Sequence, residues 1–210
     1  MGSAVTTTSV PLPPLPPLPP LPSPILSNDN MSEILDYLYV GGIQSSENNW
    51  NQFGLIVNCT KNIPFQNHTS SHIRIRIPIN DHTGECNRLL LFMKKTQVLW
   101  KMHQSILRKI PVLVHCHAGA QRSCALVACY LIQYYDMNMY QAMNHIRNHR
   151  TVAFYGGANF ALAMQQFYLH ICESKQSKQS KDLVLDWTWT PSQGDFDRFP
   201  GENRRETSHT

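Results

Sequence analysis

Hydrophobic positions along the chain fall into short unbroken runs and longer periodic stretches, and their alternation predicts a layered α/β domain. Leu55-Ile56-Val57-Asn58-Cys59 and Pro111-Val112-Leu113-Val114 are runs without alternation, the pattern of strands buried on both faces. Tyr37 to Val40 reads as another short strand. Ile73, Ile75, Ile77 and Ile79 alternate with Arg74, Arg76 and Pro78, so this segment is a half-buried strand at the sheet margin. The periodic stretches predict helices. Leu89, Phe92, Val98, Leu99, Met102 and Ile106 build one face of a single long helix from Asn87 to Arg108. Met139, Ala142, Met143 and Ile146 fall at i, i+3, i+4, i+7, and Phe160, Ala163, Met164, Phe167, Tyr168 and Ile171 repeat that spacing, so two amphipathic helices close the domain. These Met and aromatic stripes are core and imply no cofactor. Ser123 to about Tyr135 is apolar nearly all round, which places that helix in the centre of the core. Ser45 to Phe53 is expected as a helix or turn capped by Ser45 or Ser46.

Between the run at Pro111–Val114 and the apolar helix lies His115-Cys116-His117-Ala118-Gly119-Ala120-Gln121-Arg122-Ser123. Strand, tight loop and helix in that order make an anion trap: successive backbone N–H groups turn inward, and the helix adds the positive end of its dipole. Gly119 supplies a residue free to take positive φ. A cysteine in that field is stabilised as a thiolate, so Cys116 is the candidate nucleophile. Arg122 presents a planar fork that can grip two phosphoryl oxygens, and the backbone of His117, Ala118, Gly119, Ala120 and Gln121 would hold the rest. His117, on the loop rim, is placed to contact substrate. His115 is expected to hold the loop by hydrogen bonds. Ser123 donates to the sulfur, caps the helix, or does both. A metal site at His115-Cys116-His117 is not expected, because adjacent strand residues point to opposite sides and no second Cys or His pair stands at ligand spacing.

The stretch His115-Cys116-x-Ala118-Gly119-x-x-Arg122-Ser123 resembles the signature of cysteine-based protein phosphatases in its dual-specificity form. Ile34 to Gly41 resembles that family's first strand, Leu55 to Thr60 its second, and Asn159 to Gln165 an altered form of its last helix motif. Cys124 stands where the family often has Gly, and Ala161 and Leu162 where it prefers Gly and Phe. The resemblance implies a phosphotyrosine-phosphatase-like α/β fold, with a mostly parallel sheet of about four or five strands flanked by helices and the site at the carboxyl end of the strand leading to His115. It implies hydrolysis of phosphotyrosine and phosphoserine or phosphothreonine in phosphoprotein substrates, through a phosphocysteine intermediate, with no metal or other cofactor. In the loop Asn80-Asp81-His82-Thr83-Gly84-Glu85, Asp81 is placed like the family's general acid and Glu85 is the second candidate; alternatively Asp81 caps the helix that follows. Relatives acting on RNA 5′-triphosphate, phosphoinositide or phosphoglucan are the competing enzymes, and an idle phosphate-binding scaffold is the competing class. The variable loop positions hold no lysine, which favours phosphoprotein, and the presence of Cys116, Arg122 and Asp81 together argues against an idle site.

Composition adds boundaries. A chain of 210 residues allows one domain with tails, divided as 1–28, 29–173 and 174–210. Its formal charge of +4 suits an enzyme for anionic esters and falls short of a nucleic-acid-binding balance, so no nucleic-acid partner is expected. Six cysteines form no framework, and neither an apolar signal segment nor a long apolar span is present, so a cytoplasmic or nuclear protein is expected rather than a secreted one. Leu12, Leu15, Leu18 and Leu21 recur every third residue among prolines, as on one edge of a polyproline II helix. Residues 11–24 are therefore either a ligand for proline-recognising domains or a stiff spacer. Gly2 fits a short myristoylation pattern, and membrane contact is expected only if it is acylated. Arg147 to Gly157 carries cations that either approach a second substrate anion or form a solvated face. Beyond Glu173 the chain turns polar and is read as a flexible tail, in which Trp187 and Trp189 either dock back or meet a partner.

Overall fold

A computed structural model describes residues 30–66 and 72–178. The Pro-rich arm, Gly2, Trp187 and Trp189 lie outside the described residues.

The sheet has five strands in the order β1-β2-β5-β3-β4. β2 (Leu38–Gly41), β5 (Val112–His115), β3 (Leu55–Asn58) and β4 (Ile73–Arg76) run parallel, and β1 (Met31–Leu35) pairs antiparallel with β2. The segment expected as one strand before Gly41 is thus a hairpin. Its turn places Tyr37 at φ 67, and nothing in a stretch with neither Gly nor Pro advertises that conformation. The isoleucine alternation holds in part: β4 is an edge strand and Ile75, Ile77 and Ile79 are buried, but the strand ends at Arg76 and Ile73, at its start, is exposed.

β5 occupies the middle of the sheet with every residue buried, and its alternation divides the interior. Val112 and Val114 face the main core beneath α2 (Cys86–Thr96), α3 (Val98–Leu107), α4 (Arg122–Tyr134), α5 (Met139–His149) and α6 (Ala161–Lys178). Leu113 faces a smaller cluster with Met31, Tyr39, Phe53 and Ile56. On that side lie α1 (Ile43–Asn48) and a single turn at Trp50–Gln52. α4 is buried from Ser123 through Ile132, as its all-round apolar pattern requires. The strand that delivers the cysteine and the helix that receives the arginine are therefore both held in the interior of the domain.

Two local expectations are corrected, and one helix runs past an expected boundary. The long helix over 87–108 is two helices, divided at Gln97, which adopts the left-handed conformation with φ 53 and ψ 34. Both halves keep an apolar face and no Gly or Pro marks the break, so periodicity alone runs straight through it. Neither Ser45 nor Ser46 caps α1. Gly42 holds that position, and the two hydroxyls donate backward to Gly42 O and Ile43 O. The boundary expected at residue 173 falls inside α6, which continues to Lys178. Among the described residues no helix is long and apolar enough to cross a membrane.

Candidate active site

The loop from Cys116 to Gln121 owes its shape to donors that approach its carbonyls from outside. Ile43 N donates to His117 O at 2.9 Å and Phe154 N to Ala120 O at 2.8 Å. Arg150 donates through Nη2 to Ala118 O and through Nε to Gly119 O at 3.1 and 2.6 Å, and the Cys124 thiol also donates to Gly119 O. With four successive carbonyls engaged outward, the intervening N–H groups are left to face inward, which is how a short loop becomes an anion cradle. Gly119 N is seen doing so, donating to Cys116 Sγ at 3.2 Å.

Gly119 takes φ 69. A Cβ there would also stand 2.5 Å from Gly41 C and 2.6 Å from Arg150 Nη2, so any larger residue collides with both β2 and the arginine.

Two donors converge on the sulfur. Ser123 Oγ, fully buried at the head of α4, donates to Cys116 Sγ at 3.3 Å, beside the bond from Gly119 N. Ser123 does not cap the helix: Gln121 occupies that position, with no side-chain cap. Cys116 is itself only 1% exposed, at the floor of the cradle. Burial, and next the proximity of Cys116, push the Cys59 and Cys124 thiols up, so both neighbours remain protonated.

The two histidines flanking the cysteine diverge, because His115 ends β5 whereas His117 lies in the loop beyond it. His117 is exposed on the rim. His115 is buried, its Nδ1 3.4 Å from Cys116 O, which requires Nδ1 to carry the proton. Its Nε2 is left as a buried acceptor without a partner. Burial holds its pKa down to about 4, so the ring is neutral across the physiological range.

Arg122 Nε lies 3.5 Å from Asp81 Oδ2 and makes no hydrogen bond, so a buried guanidinium donor is left unpaired beside the carboxylate. Asp81 comes from the loop before α2 and accepts at Oδ1 from Asn159 Nδ2 at 2.8 Å. It caps nothing: the turn before α2 is capped by His82, whose Nδ1 accepts from Gly84 N. Glu85 is committed elsewhere, paired with Lys61 at 3.1 Å and Arg88 at 3.7 Å and accepting from Asn80 Nδ2.

The segment Arg147 to Gly157 holds a correction. Arg150, a candidate for a solvated face, is 5% exposed and is the clamp on two loop carbonyls described above. Gln121 was expected to serve through its backbone. Its side chain also straps the loop to the segment before α6, donating to Tyr155 O and Gly157 O and accepting from Asn159 N. Neither Arg150 nor Asn159 was singled out by the sequence as a site residue, because each acts through partners more than 30 positions away.

A central parallel strand leading into a buried cysteine, an amide cradle and an arginine at a helix head together define an anion site built around a thiol. The model of the dual specificity phosphatase catalytic domain matches residues 37–169. The putative tyrosine phosphatase 123R of Invertebrate iridescent virus 6 is 31% identical over 140 residues, covering 65% of this chain and 90% of the viral protein. Human dual specificity protein phosphatase 7 is 30% identical over 125 residues, covering 57% of this chain but only 29% of that protein. In fold, the crystal structure of human DUSP28 superposes with a TM-score of 0.60 at 19% identity, covering 71% of this chain and 99% of the other. The chain belongs to the dual specificity phosphatase family and is a cysteine-dependent protein phosphatase.

Proposed function

We propose that this chain hydrolyses phosphotyrosine and phosphoserine or phosphothreonine in phosphoproteins by way of a phosphocysteine at Cys116. In the first step the Cys116 thiolate attacks phosphorus, the P–O bond to the side chain breaks, and Asp81 protonates the departing oxygen. Arg122 and the inward amides of His117 to Gln121 hold the phosphoryl oxygens as their charge redistributes. In the second step a water gives its proton to Asp81 and attacks phosphorus. The S–P bond breaks and the electron pair returns to sulfur, where the Ser123 hydroxyl and Gly119 N–H stabilise it. His115 serves as support behind the loop.

The observation that carries this reading is the pair of donors on Cys116 Sγ, from Gly119 N at 3.2 Å and Ser123 Oγ at 3.3 Å: both stabilise the sulfur as an attacking and then a leaving thiolate. Asp81 is favoured over Glu85 as the acid because Asp81 stands beside Arg122 whereas Glu85 is held by two cations. Phosphoproteins are favoured over inositides because the loop side chains His117, Ala118, Ala120 and Gln121 bring no fixed positive charge. A reducing compartment, cytoplasmic or nuclear, suits six cysteines that are all free. Residues 11–24 are proposed to meet proline-recognising domains, and membrane contact would require acylation of Gly2.

Assays of Cys116→Ser and Arg122→Lys test this reading. Both should lose turnover while Cys116→Ser still binds vanadate, because the amides and guanidinium remain; a lysine offers only a point charge where a fork is needed. Appreciable hydrolysis by either variant contradicts it.

A further inference from the structure

We infer that Asn159 is a positioning residue for the proton transfer, assigning different roles to the two oxygens of Asp81. This rests on the reading of Asp81 as the general acid.

Asn159 is fixed from three directions. Its N–H donates to Gln121 Oε1 at 3.1 Å, so it is tied to the phosphate-binding loop. Its carbonyl accepts from the Cys86 thiol at 3.6 Å, which ties it to the head of α2, just beyond the acid-bearing loop. Its side chain donates to Asp81 Oδ1 at 2.8 Å. Asn159 therefore sets the distance between the loop that binds the phosphoryl group and the carboxyl that must meet the leaving oxygen.

The bond also distinguishes the carboxyl oxygens. An N–H occupies Oδ1, and an oxygen accepting that bond is poorly placed to carry the acidic hydrogen as well. The proton then belongs on Oδ2, the oxygen 3.5 Å from Arg122 Nε. Arg122 is the residue that receives the phosphoryl group, so Oδ2 is the oxygen turned toward the bond that breaks. As the S–P bond forms and the P–O bond breaks, the leaving oxygen takes the proton from Oδ2, and the Asp81 carboxylate that results stays anchored through Oδ1. The same anchor keeps Oδ2 in place to accept a proton from water in the second step. Without Asn159 the carboxyl is free to rotate about its side-chain bonds, and it is 36% exposed, so little else restrains it.

The test compares Asn159→Ala, the nearly isosteric Asn159→Asp, Asp81→Asn and the double variant Asn159→Ala/Asp81→Asn. Substrates are an activated aryl phosphate, a phosphotyrosine peptide and a phosphothreonine peptide. The main-chain bonds of Asn159 persist in every variant, and thermal melts verify folding. Asn159→Ala and Asn159→Asp should lose kcat by roughly ten- to a hundredfold on phosphothreonine, the range for a hydrogen bond to a charged group. The loss should be smaller on phosphotyrosine and least on the aryl ester, with KM little changed. Because Asn159 acts through Asp81, the double variant should be no slower than Asp81→Asn alone. Equal losses on all three substrates, losses that multiply with those of Asp81→Asn, or no loss at all would overturn the inference. If Asp81→Asn itself shows no dependence on the leaving group, the acid assignment fails, and that result is distinct from the failure of Asn159 alone.

Discussion

Arg150 sits just past the end of α5 and reaches the loop from behind, and the cost of losing it can be argued from what it leaves unpaired. Removal of its guanidinium strips Ala118 O of its donor and leaves Gly119 O with only the weak Cys124 thiol. Each orphaned buried carbonyl costs about 1–3 kcal/mol. Arg150→Ala should therefore destabilise the domain by about 3 kcal/mol in denaturant titration and weaken vanadate binding, because the amides no longer hold their inward set. Arg150→Lys should recover little of either, since one ammonium cannot follow two carbonyls in fork geometry. A variant with normal stability and normal vanadate affinity would show that the loop keeps its shape without this clamp. Burial lowers the Arg150 pKa from its usual value, yet an arginine so placed stays charged, so the clamp should hold across the working pH range.

At the scale of elements, the strands and helices that frame the site were legible in the sequence because their patterns are dictated by burial. β3 and β5 are buried on both faces and read as unbroken apolar runs; α4 is enclosed and reads as apolar all round. What escaped depends on single backbone conformations or on distant partners. Tyr37 and Gln97 turn the chain at positive φ without glycine, so the hairpin and the α2–α3 break carry no local signal. Cys116, Arg122 and Ser123 were legible as a site because they share one loop, whereas Arg150 and Asn159 join it through tertiary contacts alone. The start of α5 allows a direct test of local energetics. Asn138 accepts from Gln141 N at 3.0 Å while the Gln141 side chain accepts from Asn138 N at 2.9 Å, a reciprocal capping box. Asn138→Ala should cost about 1 kcal/mol of stability in denaturant titration while leaving kcat unchanged. A change in kcat would mean that α5 transmits its register to Arg150 more strongly than a fixed helix should.

At the scale of the whole molecule, the domain carries an acid-sensitive element directly beside Cys116. His115 is neutral in the folded protein because burial lowers its pKa from 6.5 to about 4. Between those values the unfolded chain binds a proton that the folded protein refuses, so stability rises with pH through this window and falls as the solution is acidified. The full difference is on the order of 3 kcal/mol. Melts from pH 7 down to pH 4 should show a falling Tm, and His115→Asn should flatten the part of that fall that comes from this ring. A slope unchanged by the substitution would assign the acid sensitivity to other groups.

The central claim is that phosphate passes through the Cys116 sulfur. The most direct measurement is an acid-quenched single turnover with a phosphotyrosine peptide labelled in its phosphoryl group, followed by mass spectrometry of the digested protein. Ser123→Ala is the useful background, because it keeps Asp81 for the first step but removes the hydroxyl on Cys116 Sγ that stabilises the thiolate leaving in the second, so the intermediate should accumulate. The account predicts one phosphoryl group per chain on Cys116, absent from Cys116→Ser and released as inorganic phosphate on longer incubation. Phosphate release in a single turnover with no label ever found on Cys116, or label found on another residue, would contradict it.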